Sequence, residues 1–431
     1  MDRPNPVFEV DVAAPPGLRP RSPLFWAALA LTVSVFPLIW MGGLVTSHQA
    51  GLSVPDWPNS YGYNMVLFPP SLWVGGIFYE HTHRLLGTLS GFLATILLLM
   101  AWAPAATPRG RRGWAIAAAG MWTVTVLAVV FTVFATRGQW LSTATTKLLP
   151  HFAVGFGSLA VVATLAWLCR RREPRRWVRW LTVGVFVAVC VQGAMGGLRV
   201  VLADIDLAVV HGCFAEAFFA LAAFTTLACS KWWARVEVEP VTSGSTGRGS
   251  IFTAGRLAGL TTLLIFCQLV AGALMRHYGA GLAIPGVLVY GKLLPPTDPA
   301  ALDAINSHRA WVQHLPPLAS LTQLWLHFAH RVGATLVTLA ICTTAWQVFR
   351  KFGTSRAAGR TAVILSGLLV TQVTLGVLTV YTRKSADVAS AHVAVGALTL
   401  MTAAVLTAVL ARQAARRPAN VVPPTPVLFR T

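Results

Sequence analysis

Charge is what this sequence has least of, and acidic charge is scarcest. Of 431 residues only 11% are charged and 14 are Asp or Glu, where a soluble domain carries roughly a quarter charged residues. That shortage excludes an ordinary water-soluble chain. Cysteine is sparse too. The six, Cys169, Cys190, Cys213, Cys229, Cys267 and Cys342, all fall in or at the ends of apolar segments. With no CxxC and no cysteine in a long loop, neither a disulfide framework nor a thiolate metal site is indicated. They read as small apolar packing residues. What the chain has instead is 55% hydrophobic residues and a mean hydropathy of +0.64. Apolar runs of about 20 residues, each long enough to cross a bilayer, recur from end to end. The first begins near Phe25 with no small-residue cleavage site after it, which reads as a retained helix rather than a signal peptide.

The net charge of +20 suggests nucleic acid only until the charges are placed on the chain. They sit in short clusters between apolar runs, the pattern that the positive-inside rule produces. The runs predict ten transmembrane helices at 24–46, 80–103, 113–135, 148–169, 178–200, 207–229, 256–276, 325–348, 361–381 and 388–411. One alternating set of loops is basic, with clusters around Arg109, Arg170, Lys231, Arg350 and Arg412, while residues 47–79 contain no Lys or Arg. An even number of spans with both termini in the cytoplasm fits every loop. The long outer loops are then 47–79 and 277–324.

The predicted division is a polar segment 1–23, a first half 24–230, a cytoplasmic linker 231–255, a second half 256–411 and a tail 412–431. The two halves echo each other. Gly42-Gly43-Leu44 through Pro55 aligns with Gly272-Ala273-Leu274 through Pro285 at an offset of 230, and His83-Arg84 with His330-Arg331 at 247. Gln192 through Gly196 aligns with Gln372 through Gly376 at 180, and His211 with His392 at 181. The fall in offset means about 67 extra residues in the first half, room for two helices at about 104–170. An insertion that crosses twice leaves both halves starting on the same side. The expected fold is all-α integral membrane: two parallel, pseudo-repeated four-helix bundles with a helix pair inserted in the first.

Four histidines, His83, His211, His330 and His392, recur at equivalent positions near the outer ends of their helices. Ionisable groups at membrane depth are functional candidates by default. Two imidazoles facing each other across a bundle are what six-coordinate haem iron requires, and the bundle core gives the porphyrin a dry slot. A lone histidine at a helix end is more often only interfacial; the duplication argues for ligands. His151 lies in the insertion and has no counterpart. His81 points to another face than His83, His308 and His314 are expected in water, and His48 and His277 begin the outer loops.

One position is asymmetric. Glu80 stands three residues before His83, and its counterpart is His327. On a helix, i and i+3 share a face. Glu80 therefore either looks toward the porphyrin, where a carboxylate moves protons or stabilises a developing cation, or pairs with an arginine at the membrane surface. Arg84, Arg331 and Arg199 are candidates to hold haem propionates; the alternative is that they snorkel to the interface. Glu216 lies off the face of His211 and has no assigned role.

Taken together, Gly51-Leu-Ser-Val-Pro-Asp-Trp-Pro58, Glu80-x-x-His83-Arg84, Gly196-Gly-Leu-Arg-Val200 and Val210-His211-Gly212 resemble the haem A synthase family. Gly279-Ala-Gly-Leu-Ala-Ile-Pro285, His327-Phe-Ala-His330-Arg331 and His392 extend the resemblance over about 24–411, apart from the insertion. It implies oxidation of the C8 methyl of haem O to the formyl of haem A, by successive hydroxylation and loss of water, for cytochrome oxidase biogenesis. It assigns His83 and His211 to the substrate haem, Glu80 to catalysis, and His330 and His392 to a haem B cofactor, with Arg331 and His327 beside it. Haem O synthase is the implied upstream partner and a bacterial cytoplasmic membrane the implied location, haem sites toward the outer face. No nucleic acid is expected; the electron donor is unspecified, and a homo-oligomer is compatible with the sequence. The chain departs from the family in its inserted helices, in lacking the cysteine pair that many bacterial members carry in the first outer loop, and in a second-half loop one residue shorter after Pro285. Two rivals use the same histidines: a bis-histidine membrane cytochrome b fed by quinol, and a membrane haem carrier or chaperone. Neither needs Glu80.

Overall fold

Within a bilayer every backbone N–H and C=O has to be satisfied inside the chain, so long apolar runs become helices. The computed structural model describes residues 23–102, 108–138, 143–168, 173–238 and 248–415. Ten long helices coincide with the ten expected spans: α1 (Pro23–Ser47), α2 (Gly76–Trp102), α3 (Pro108–Gly138), α4 (Thr143–Leu168), α5 (Arg176–Leu202), α6 (Ile205–Ala228), α8 (Arg248–His277), α10 (Leu321–Phe352), α11 (Ala357–Tyr381) and α12 (Ala386–Ala414). Among the described residues nine are long and apolar enough to cross a membrane; in α4 the apolar stretch is the shorter Phe152–Leu165. The described residues contain no strand. The chain is an all-α, multi-pass membrane protein.

Two short helices were not expected. α7 (Lys231–Val238) and the first turns of α8 occupy part of the stretch read as a linker. The reason is aromatic: Trp233 is buried, its ring 5.7 Å from that of Phe224, with the Arg412 guanidinium 4.9 Å above it. α9 (Ala301–His308) lies in the second long loop and packs Ile305 into a small core with Ala283, Ile284, Val289, Leu318 and Leu324. The ends 1–22 and 416–431 and the linker residues 239–247 lie outside the described residues.

Helices α1, α2, α5 and α6 pack as one four-helix bundle, and α8, α10, α11 and α12 as another. Each has its own core. Ala28, Leu31, Val35, Leu97, Val185 and Phe219 fill the first, and Ile265, Ile341, Leu365, Leu400, Leu406 and Leu410 the second. Polar side chains stitch helices inside both, as between Ser34 and Ser90 and between Thr261 and Thr344; such bonds contribute roughly 1 kcal/mol in a membrane. Val187, Leu339, Val370 and Val377 face outward, as lipid-facing residues must. The inserted helices α3 and α4 pack on each other, and α4 also leans on α2.

The bundles meet where α12 packs on α1 and α6. Ser47 and Ser390 share a hydrogen bond of 3.0 Å, Arg276 donates to the Gly43 carbonyl and to Ser47 Oγ, and Tyr278 donates to Asp206. Both long loops, 48–75 and 278–320, lie at this same long-loop end.

Candidate functional site

The four duplicated histidines lie six to nine residues from the long-loop ends of α2, α6, α10 and α12. At 1.5 Å per residue that is roughly 9–14 Å into the bundle. The imidazoles of His83 and His211 face each other with ring centres 6.3 Å apart. Two imidazoles sharing one metal ion, each through a bond of ~2 Å, take a separation of this order.

A glycine lies against each ring. A methyl group at Gly42 would stand 3.0 Å from His83 Cε1, at Gly196 2.8 Å from His211 Cε1, at Gly272 3.1 Å from His330 Cε1, and at Gly376 3.1 Å from His392 Cε1. The absence of a side chain at these four places is what lets each ring stand upright beside the neighbouring helix. The second ring nitrogens are handled differently. His83 Nδ1 donates to the Leu38 carbonyl at 3.1 Å, whereas His330 Nδ1 meets the Gln268 amide nitrogen at 3.0 Å. Nδ1 of His211 and of His392 is buried with no hydrogen-bond partner in the protein. Among the described residues no group of three or more His, Cys, Asp or Glu could hold a metal alone. Paired imidazoles with open nitrogens, glycine-lined and set in dry bundles, fit haem.

Glu80 is buried, with 3% of its surface exposed. Its Oε2 accepts from the Val54 N–H at 2.9 Å, and its Oε1 from Arg84 at 2.8 Å. So Glu80 does pair with an arginine, inside the protein rather than at its surface. Arg84 in turn donates to the carbonyls of Val54, Asp56 and Asn59. The second half repeats the arrangement with an imidazole in place of the carboxylate: His327 Nδ1 faces the Ile284 N–H at 3.1 Å and its Nε2 faces Arg331 at 3.3 Å, one of the two accepting in a neutral ring, while Arg331 donates to the carbonyls of Ile284, Gly286 and Val287. Both arginines, expected to hold propionates, direct their two terminal nitrogens to carbonyls of the loop that covers their bundle. They act as latches.

The loops share a further device that sequence reading passed over. Ser60-Tyr61-Gly62-Tyr63 and Val289-Tyr290-Gly291-Lys292 form equivalent tight turns with positive φ at both central residues, the backbone of a type I′ turn. Tyr61 donates to the Ser53 carbonyl and Tyr290 to that of Ala283. These residues are 229 apart, where Val54 and Ile284 are 230 apart. That is the one-residue shortening after Pro285, and the tyrosine–glycine pairs in the sequence were the signal.

The remaining candidates separate clearly. His81 is fully buried, bonded to Ser60 Oγ and walled by Phe68 and Trp73, and so belongs to the first loop's core. His48 stacks on Tyr79, and His308 and His314 are exposed. Arg199 donates to the Gly51 carbonyl at 3.1 Å. Glu216 is buried in α6 with Oε2 unpartnered. The side chain of His151 is outside the described residues. Sequence reasoning missed Gln268, the ring-facing role of the four glycines, and Arg309. Arg309 is 2% exposed and holds the second loop through Pro316, Leu282, Ala283 and Tyr290.

Comparison with known proteins adds a separate line. The model of the family described as cytochrome oxidase assembly protein matches residues 151–405. A heme A synthase of Beijerinckia indica is 26% identical over 83% of this chain and 84% of its own length. A heme A synthase of Symbiobacterium thermophilum is 27% identical over 44% of the chain and 55% of its own, and one of Erythrobacter litoralis 26% over 57% and 67%.

Proposed function

The chain belongs to the COX15-CtaA family of cytochrome oxidase assembly proteins, and from that premise we propose that it is a haem A synthase, an oxidoreductase that converts the C8 methyl of haem O to the formyl of haem A. The observation that carries the reading is the His83–His211 pair, 6.3 Å apart with glycines 42 and 196 against the rings. It takes haem O as substrate in the first bundle. His330 and His392 would hold a haem B cofactor in the second, which supplies single-electron transfer when bound. The long-loop end faces the outside of a bacterial cytoplasmic membrane, and both termini face the cytoplasm. An upstream haem O synthase provides the substrate.

The chain's own residues then divide the work. His83, held by the Leu38 carbonyl, and His211 fix the substrate's position and depth. Arg84 latches the first loop over the bundle and pairs with Glu80 beside it. Glu80 is the proton acceptor as the methyl carbon is oxidised, a role that positioned carboxylates fill well. His327 at the matching position is bonded to its own loop in the same manner, which reserves carboxylate chemistry for the first half. The loops exclude water from both sites.

The test is co-expression with a haem O synthase in a host that makes no haem A, followed by mass spectrometry of extracted haems. Haem A or its hydroxylated precursor should accumulate with the wild-type chain and fall at least about 100-fold with Glu80→Gln, the scale of a lost general base, while bound haem persists. Unchanged haem O and haem B beside well-expressed, haem-loaded protein with a supplied electron donor would point to a cytochrome or carrier instead.

A further inference from the structure

Once Arg84 and Arg331 are committed to their loops, the charges of a bound haem have no obvious partner. The tetrapyrrole's two carboxylates are its only ionised side groups, and they need cations when the ring is buried. Among the described residues three further cations at the long-loop end lie against the bundles or their junction. Arg199 stands near the end of α5, Arg276 at the end of α8, and Lys384 between α11 and α12. None of them has a carboxylate partner among the described residues.

Their placement follows the duplication of the bundles although the sequence does not. The Arg199 guanidinium lies over Gly51, and the Lys384 stem lies over Gly281, where a methyl would meet Cδ at 3.1 Å. Gly51 and Gly281 are equivalent positions, 230 apart. An arginine from a helix end and a lysine from a turn thus reach the same point of the two halves. The lysine gets there by strained backbone: Arg383 and Lys384 have φ of +54° and +65°, a region that side-chain-bearing residues rarely adopt. Strain of this kind persists where surrounding structure or function holds it. Arg276 reaches across the junction, with one nitrogen on the Gly43 carbonyl and Ser47 of the other bundle, and its charge acts on Lys384. Desolvation and that nearby charge hold the Lys384 ammonium below the usual lysine range. Positive groups crowded in this way cost free energy unless an anion joins them.

We propose that Arg199, Arg276 and Lys384 form one cationic rim that binds the tetrapyrrole carboxylates, Arg199 in the first half, Lys384 in the second and Arg276 at the junction of the two. This rests on the reading of the bundles as haem sites. It assigns carboxylate recognition to residues outside the His-Arg motifs, and it makes Arg276 a shared counter-charge through which the occupancy of one half is felt in the other.

The test uses the full-length chain loaded with haem during expression and purified in detergent. The rate of haem B transfer to excess apomyoglobin and the midpoint potential of the bound haem B are both measured. Lys384→Met and Arg276→Leu should each speed transfer about ten-fold, the scale of one charge-assisted hydrogen bond, and move the potential negative, because a cation beside the carboxylates is gone. Lys384→Arg should behave like the wild type, which separates charge from packing and from misfolding. Wild-type protein re-loaded with haem B dimethyl ester should lose it as fast as the variants lose haem B. Transfer rates and potentials unchanged in both variants overturn the rim and leave the haem reading standing; so does Lys384→Arg behaving like Lys384→Met. A wild-type preparation with no paired-histidine haem spectrum overturns both.

Discussion

Each bundle backs its two histidines with a matching pair of glycines and closes its loop with a matching arginine, yet the two differ at two places beside the histidines. Where the first has Glu80, the second has His327, and where His83 donates to the Leu38 carbonyl, His330 meets the Gln268 amide. Gln268 occupies the position of Leu38, 230 residues on. An imidazole that donates its second N–H to a carbonyl is oriented by it and made a better metal ligand. What is shared therefore builds a pocket, and what differs sets what the pocket does. The first half sets a carboxyl group and a backbone carbonyl beside its histidine; the second sets an imidazole and an amide there.

The latches are the most sensitive place to break the comparison. Arg84→Ala strands Glu80 as a buried, uncompensated carboxylate, for which a loss of about 3–5 kcal/mol is expected. Arg331→Ala leaves behind only carbonyls and an imidazole, and about 1.5–3 kcal/mol should go. Thermal unfolding in detergent checks the order, and Arg84→Ala should show the lower midpoint. Equal losses would mean that the Glu80–Arg84 pair contributes no more than the neutral contacts at the matching place.

A smaller effect sharpens the geometry. Gly196→Ala puts a methyl 2.8 Å from His211, and Gly376→Ala one 3.1 Å from His392. Both gain helix propensity equally, so the difference isolates the ring contact. Overpacking of the tighter site should cost about 1–3 kcal/mol, and relaxation should absorb most of the looser one. Haem content per chain, read from the reduced haem spectrum, should fall more for Gly196→Ala than for Gly376→Ala.

Much of this was legible in the sequence because the bilayer leaves few options. Apolar length set the ten helices, and changes in offset between matched motifs located the helix pair between Trp102 and Arg176. The four histidines were visible because they occur twice. Arg84 and Arg331 were visible for the same reason, but their partners were not, since a guanidinium's bonds depend on the path of a loop 25 to 47 residues away in sequence. α7 and α9 were hidden because each is a short amphipathic helix of eight residues, and a search for long apolar runs passes over them. Lys384 and Gln268 carried no signal at all. Lys384 does a job that Arg199 does from a different element, and Gln268 matches a leucine, so no alignment of the halves picks out either.

The account's central claim is that each half holds its own haem. The most direct measurement is mass spectrometry of haems extracted from purified chain, made in a host that produces haem O, for wild type, His211→Ala and His392→Ala. His211→Ala should lose haem O and its oxidation products but keep haem B, and His392→Ala should lose haem B and keep haem O. If both substitutions deplete the two species alike, or neither depletes any, the division of the chain into a reacting half and a resident half is contradicted.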